Sequence, residues 1–264
     1  MRISSVSHAF FAATLIGLAI LGLIKGDFTA IWQPVPEALP ARAVLSYLCI
    51  LISLACGIGL LWQRTATLAA RVLLAFLLLW LLLVRVPGML LSFTIGFWWS
   101  ASKTAVMTAA AWVLYVWFAA DWDKQRLRFF TDTNGQRIAR ILYGLALIPF
   151  GIAHFLYLKQ TTVLVPAWLP ASSEFWAYFT GGAYIAAGTA IVIGAYARLA
   201  ATLSALETGL ITVLVWVPMA VAGQPNAFQW GEIEVSIALT AAAWLVADSY
   251  RSVAAAPAVL QEVR

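Results

Sequence analysis

Val35-Pro36-Glu37-Ala38-Leu39-Pro40-Ala41 returns 130 residues later as Val165-Pro166-Ala167-Trp168-Leu169-Pro170-Ala171, with five identities in seven positions. Working outward, Ala66-Thr67-Leu68-Ala69-Ala70 matches Ala197-Arg198-Leu199-Ala200-Ala201, and Val84-Arg85-Val86-Pro87 matches Val215-Trp216-Val217-Pro218. Trp98 then falls on Trp230, and Thr108-Ala109-Ala110-Ala111-Trp112 on Thr240-Ala241-Ala242-Ala243-Trp244. One such match can arise by chance in an apolar chain. Five in order, with the offset moving only from 130 to 132, mark an internal duplication.

The 264 residues are 63% hydrophobic and 10% charged, whereas a soluble domain carries about a quarter charged residues. Too little polar side chain is present to cover a water-soluble globule, so lipid is the solvent that fits. A helix crossing the hydrocarbon core needs about 20 apolar residues. Eight segments qualify: Ala9–Ile24, Ala43–Trp62, Ala66–Val86, Thr104–Ala120, Ile138–Leu158, Phe175–Ala195, Leu199–Val217 and Ile233–Ala247. The first and last are short and must borrow flanking residues. Met1-Arg2-Ile3 and the apolar run after it resemble a signal peptide, but no small-x-small cleavage site precedes Lys25-Gly26-Asp27. That run is read as the first span.

The expected fold is therefore an all-α membrane protein, with eight transmembrane helices forming two four-helix bundles. The first unit covers residues 1–123, a basic linker 124–137, the second unit 138–250 and a tail 251–264. Tight turns at Gln63-Arg64-Thr65 and Tyr196-Ala197-Arg198 make antiparallel hairpins of the flanking spans. An even number of spans per unit inserts both copies in the same orientation, a parallel repeat. Placing both termini in the cytoplasm puts eleven basic residues, including Arg2 and Arg264, on that side against five on the other. That is the positive-inside arrangement of an inner-membrane protein. The basic residues lie in short loops between apolar runs, not on one soluble face, so a nucleic-acid partner is excluded. The bilayer is the expected partner, and the basic run Lys124 to Arg140 suits anionic lipid.

The proline motif lies in the outer loop after the first span of each unit. Two prolines four apart cannot continue a helix. A rigid segment at the outer interface is expected, with Trp32 or Trp168 as an anchor or as the lip of a pocket. Gly181-Gly182-Ala183, Ala186-Ala187-Gly188 and Ala190 read as a helix-packing stripe. Cys49 and Cys56 are seven apart on one helix face, too far for a disulfide.

No residue pattern points to catalysis or a metal site: His8 and His154 belong to opposite ends of the membrane, and CxxC, HExxH and a glycine-rich phosphate loop do not occur. A chain without catalytic activity of its own is the expectation. Ionisable residues inside the bilayer are costly and become the functional candidates. Glu207 stands near the middle of the seventh span, with Ser204 and Thr208 on its face and Phe76 at the matching place in the first unit. Two readings stand open: a proton, cation or head-group site, or a carboxyl that holds two helices together. His154 aligns with Asp27, and Phe155 with Phe28, which suggests a polar floor to an outward-facing cavity. Outer charges divide by unit: Lys25, Arg42, Arg85 and Lys103 against Asp27 and Glu37 in the first, and Lys159 against Glu174, Glu232 and Glu234 in the second. Arg85 or Lys103 is expected to pair with Glu232 or Glu234 across the seam between the units.

Each unit has a polar residue and Phe near the end of its first span, a proline-containing outer loop, a Gly/Ala-rich second span and a tight turn into the third. In Arg140–Val217, through Gly151-Ile152-Ala153-His154-Phe155 and Gly194-Ala195-Tyr196-Ala197-Arg198-Leu199-Ala200, this resembles the DoxX-like family of small bacterial membrane proteins. Members are about one unit long, so the chain resembles a tandem version. The resemblance implies a membrane anchor or quinone-side subunit of a redox complex, with a soluble or membrane redox subunit as partner and quinone as the cofactor in view. It supplies no catalytic residue. The alternative is a small-molecule or lipid transporter or binding protein, with a cavity between the units near Glu207 and His154.

Overall fold

The computed structural model describes residues 5–36, 39–92, 94–223 and 225–254. Glu37 of the first proline motif, Arg2, Arg264 and the tail from residue 255 lie outside the described residues. The described chain is helical, with no strand among the described residues.

The first long helices are α1 (Val6–Lys25), α2 (Arg42–Leu60) and α3 (Gln63–Trp80). A π turn at Leu81–Arg85 carries α3 into α4 (Val86–Leu91), and α5 (Ile95–Phe118) follows. Two short helices, α6 (Asp121–Arg126) and α7 (Arg128–Thr131), occupy the basic stretch expected as a linker. Then come α8 (Thr133–Leu156), the short α9 (Leu158–Thr162), α10 (Ser173–Ile193) and α11 (Ala197–Ile211). A second π turn, Thr212–Trp216, leads into α12 (Val217–Val221), and α13 (Ala227–Ala254) closes the described chain.

Local chemistry sets the ends. The Ser5 hydroxyl accepts the His8 N–H at the start of α1, and Gly26 ends that helix at φ 65°, a conformation that favours glycine. The Ser172 hydroxyl does the same for Phe175 of α10, which Gly194 ends at φ 80°. Each π turn directly precedes a Val-Pro pair, Val86-Pro87 and Val217-Pro218. Proline has no N–H and its ring collides with the carbonyl four residues back; widening the helix by one residue relieves both. Ala41 and Ala171, the last residues of the two proline motifs, share positive φ, 54° and 67°.

Among the described residues, seven helices are long and apolar enough to cross a membrane: α1, α2, α3 through α4, α8, α10, α11 through α12, and α13. The chain is thus built as a multi-pass membrane protein. The expected first and last spans proved too short: α1 has 20 residues and α13 has 28. The expected fourth span lies in α5, which has 24 residues but is not among the seven. It carries Lys103 and several hydroxyls, and Thr104–Tyr115 is buried throughout. A helix enclosed by other helices needs no apolar outer face.

Taken by halves of the chain, the long helices α1 to α5 form a first group, in which α1 packs on α2, α2 on α3 and α3 on α5, and α8 to α13 a second, in which α8 packs on α10, α10 on α11 and α11 on α13. The groups meet where α5 packs on α8 and α13, and where α1 packs on α13. Ala109–Ala111 of α5 and Ala241–Ala243 of α13 are all buried, and side chains this small let packed helices approach closely. Within the second group, glycines do this for α8 and α10. A Cβ on Gly151 would lie 2.4 Å from the Gly181 carbonyl oxygen, and one on Gly188 2.5 Å from that of Gly144. Gly182, by contrast, faces open space.

Burial follows the sequence offset. Ser7, Phe11, Leu15 and Leu18 of α1 are buried, as are Ala139, Tyr143, Leu147 and Phe150, each 132 residues on. Ala69, Ala70, Leu73, Leu77, Leu81 and Arg85 are buried, as are Ala200, Ala201, Ser204, Thr208, Thr212 and Trp216, each 131 on. In that register His154 falls on Gly22 and not on Asp27. The backbone agrees: His154 is inside α8, whereas Asp27 lies beyond the end of α1.

Candidate functional site

Along α3 the interior of the first group is apolar, with Leu73, Leu77 and Leu81 buried. Phe28, Trp32, Phe76 and Trp80 form an aromatic cluster, with Trp32 centred 5.5 Å from Phe76 and 5.4 Å from Trp80. Trp32 is therefore a core residue and not an interfacial anchor, whereas Trp168 is exposed. Leu15, Leu18, Leu73, Leu77 and Met107 line a cavity of about 10 Å³ beneath Trp32. A void that small with apolar walls stays dry.

The second group places hydroxyls where the first has leucines. Ser204, Thr208 and Thr212 stand one helical turn apart on one buried face, at the positions matching Leu73, Leu77 and Leu81. Each has a partner on a facing helix. Ser204 shares a 3.0 Å hydrogen bond with the Tyr143 hydroxyl of α8. Thr208 shares a 3.2 Å bond with the Tyr184 hydroxyl of α10. Thr212 bonds to Ser236 at 2.6 Å and to Thr240 at 2.8 Å, both on α13. Along the helix, Thr208 donates to the Ser204 carbonyl at 2.8 Å and Thr212 to that of Thr208 at 2.9 Å. The result is a ladder of hydroxyls rising about 12 Å from Ser204 to Thr212 at 1.5 Å per residue.

Glu207 flanks this ladder, half-buried and next in sequence to Thr208. Its Oε1 is buried and has no hydrogen-bond partner among the described residues. A buried acceptor without a donor costs about 1–3 kcal/mol, more when charged. Tyr184 ties in His154, whose ring centre lies 5.7 Å from that of the tyrosine and whose Nδ1 bonds to the Phe150 carbonyl at 2.8 Å. Leu203, Leu206 and Leu210 on the outer face of α11 are exposed. The carboxyl thus stands at the edge between bundle interior and lipid.

Two sequence candidates, Thr208 and His154, meet at Tyr184. Ser204 and Glu207 share α11 with Thr208, and that helix packs on α10 and α13. The remaining three lie elsewhere. Asp27 accepts a fork of bonds from Arg42 at 2.7 and 3.0 Å. The Arg42 guanidinium holds its carboxyl below the usual carboxylate range, against a smaller upward push from burial. Glu232 pairs with Lys103 at 3.0 Å, and Glu234 pairs with Lys25. Both pairs join α13 to the first group, so of the expected seam contacts Lys103–Glu232 forms. Arg85 does not pair with either glutamate. It is buried, and donates to the carbonyls of Trp32 at 2.6 Å, Gln33 at 2.9 Å and Pro34 at 2.8 Å, and to the Thr104 hydroxyl at 3.1 Å.

Sequence reasoning missed Tyr143, Tyr184, Thr212, Ser236 and Thr240. The four-residue spacing of Ser204, Thr208 and Thr212 was the available signal. It also missed Asp123, fully buried at the start of α6, which accepts from Arg71 at 2.7 Å, the Tyr115 hydroxyl at 3.0 Å and the Ala120 N–H at 3.1 Å.

One family model, described as a domain of unknown function (DUF8561), matches residues 143–247. The matched stretch starts at Tyr143 and contains Glu207 and the whole hydroxyl ladder. No curated protein and no solved structure matches the chain.

Proposed function

We propose that this chain is a proton-handling membrane protein of eight spans, a tandem duplication of one four-helix unit with both termini in the cytoplasm. The first unit serves as an apolar scaffold and the second carries the site. The shared π turns, the left-handed alanines and the common burial register support the duplication, and the enclosure of α5 supports its place as the fourth span. The observation that carries the functional reading is Glu207 Oε1, buried without a donor on a helix whose neighbouring Ser204 and Thr208 bond to the Tyr143 and Tyr184 hydroxyls. An ionisable carboxyl inside the membrane is costly to bury and marks a proton or ion site. Phe76 and three leucines at the matching positions of the first unit show that the scaffold does not need these polar groups.

Proton movement across the bilayer is the activity this site suits best. The anchor of a DoxX-like redox complex, with quinone as ligand, remains the reading carried by the sequence resemblance, and it too would use a proton path. The test is proton flux into bilayer vesicles that enclose a pH-sensitive dye, under an imposed pH gradient. Wild-type protein is expected to dissipate the gradient faster than Glu207→Gln, which should match protein-free vesicles. Equal rates for wild type and Glu207→Gln would overturn the assignment.

A further inference from the structure

The two groups differ at one corner, the end where α5 and α13 finish. In the first, Thr67 donates to the Phe118 carbonyl at 2.6 Å and Arg71 bonds to Asp123 at 2.7 Å. Trp122 covers the Arg71 guanidinium, 5.3 Å from its ring centre. Helix α6 thus brings a carboxylate and an aromatic lid onto a cation. The residues 131 further on from Thr67 and Arg71 are Arg198 and Thr202, and those 132 on from Phe118 and Ala119 are Tyr250 and Arg251. The residue 132 on from Asp123 is Ala255, so the sequence does not repeat the carboxylate.

The second corner is instead an open groove of about 680 Å³ lined by Tyr196, Arg198, Leu199, Thr202, Tyr250 and Arg251. Arg198 has no ion-pair partner among the described residues. Arg251 reaches Asp248 at 3.4 Å, and that carboxylate is shared with the Ser7 hydroxyl. Arg140 stacks on Tyr250, 3.9 Å from the ring centre, and holds one wall. Two arginines, Arg198 and Arg251, thus line the groove, and only Arg251 has a carboxylate partner among the described residues. Directly above the groove, the exposed Leu199, Leu203 and Leu206 run along the lipid face of α11.

We infer that this groove binds the phosphodiester head group of an anionic phospholipid, which supplies the negative charge that Asp123 supplies in the first group. Arg198 and Arg251 take the phosphate oxygens, the Tyr196 hydroxyl adds a hydrogen bond, and the acyl chains lie along Leu199, Leu203 and Leu206. Basic pockets at the cytoplasmic ends of spanning helices suit anionic head groups in this way, and arginine matches phosphate with paired bonds. A lipid source is favoured over a free anion because the groove opens onto an apolar helix face. The comparison needs only the two corners, so its failure would leave the Glu207 reading untouched.

The test is native mass spectrometry of the full chain in neutral detergent, titrated with phosphatidylglycerol, phosphatidylcholine or inorganic phosphate. Wild type is expected to retain phosphatidylglycerol in preference to phosphatidylcholine. Affinity should fall about fivefold in Arg198→Gln or Arg251→Gln and about 30-fold in the double variant, taking the usual gain per basic residue near an anionic lipid. Arg64→Gln, an equal charge change at the matching turn of the first group, should retain the lipid as wild type does. Equal loss in Arg64→Gln, unchanged binding in the double variant, or displacement of the lipid by millimolar inorganic phosphate would each overturn the proposal. A thermal melt on each variant separates loss of binding from loss of fold.

Discussion

Replacing Arg85 with Met tests how the first proline loop is held. The side chain lies at the end of a π turn and is nearly out of solvent, with 4% of its surface exposed. Its guanidinium donates to three successive carbonyls, those of Trp32, Gln33 and Pro34, and to the Thr104 hydroxyl. Methionine fills much the same volume but donates nothing. Three carbonyls then lose their donor, at about 1–3 kcal/mol each if none finds another. Two effects offset part of this: water reaches a loop near the membrane surface, and the cost of burying a guanidinium without a carboxylate partner disappears. A net loss of about 2–4 kcal/mol follows, or roughly 5–10 °C in melting temperature for a chain of this size. The assay is thermal unfolding in mild detergent, with proteolysis of the segment 32–41 as a local readout. Arg85→Lys should fall between, since one ammonium cannot reach four acceptors. The matching change in the second group, Trp216→Met, should leave the loop protected. An Arg85→Met protein that melts with wild type and keeps the loop protected would refute this account.

Gly151→Ala is expected to destabilise by about 1–3 kcal/mol through forced separation of α8 and α10, because the added carbon would meet backbone at 2.4 Å. Gly182→Ala, with nothing within 4 Å, should be neutral or slightly stabilising in the same denaturant titration. Burial pushes the Asp123 carboxyl up, but the bonds from Arg71, Tyr115 and the Ala120 N–H outweigh it and hold the group below its ordinary value of 3.8. A depressed carboxyl stabilises the fold fully above that value and loses its contribution as pH falls through the lower folded one. Hydrogen exchange across residues 119–131 should therefore rise below about pH 4, and Asp123→Asn should show the faster exchange already at neutral pH.

Much of the helical frame was legible because lipid leaves a long apolar run few alternatives. The hairpins at Gln63 and Tyr196, the glycine stripe of α10 and the membrane class follow from local spacing. The status of α5 was not legible, since burial by neighbouring helices relaxes the demand for apolar residues and its sequence shows only the result. Trp32 and Trp168 occupy similar motifs yet point to different environments, because Phe76 and Trp80 offer the first a partner surface and the second lacks one. Glu207 stood out as a charge in a span, but the tyrosines bonded to its helix neighbours Ser204 and Thr208 come from α8 and α10, 64 and 23 residues away from it in sequence. Only tertiary contact assembles them. Arg85 illustrates the reverse: a basic residue beside acidic candidates in a charge tally is satisfied by carbonyls, which carry no sequence signature.

The proposed role of Glu207 requires a protonatable carboxyl at the lipid-facing edge of a polar interior. Labelling with carbodiimides tests it most directly, read by peptide mass after treatment of the protein in bilayer vesicles. A lipid-soluble carbodiimide is expected to modify Glu207, a water-soluble one to leave it untouched, and Tyr184→Phe to change the rate without removing the site. The account is contradicted if Glu207 stays unmodified by the lipid-soluble reagent while carboxyls outside the membrane react.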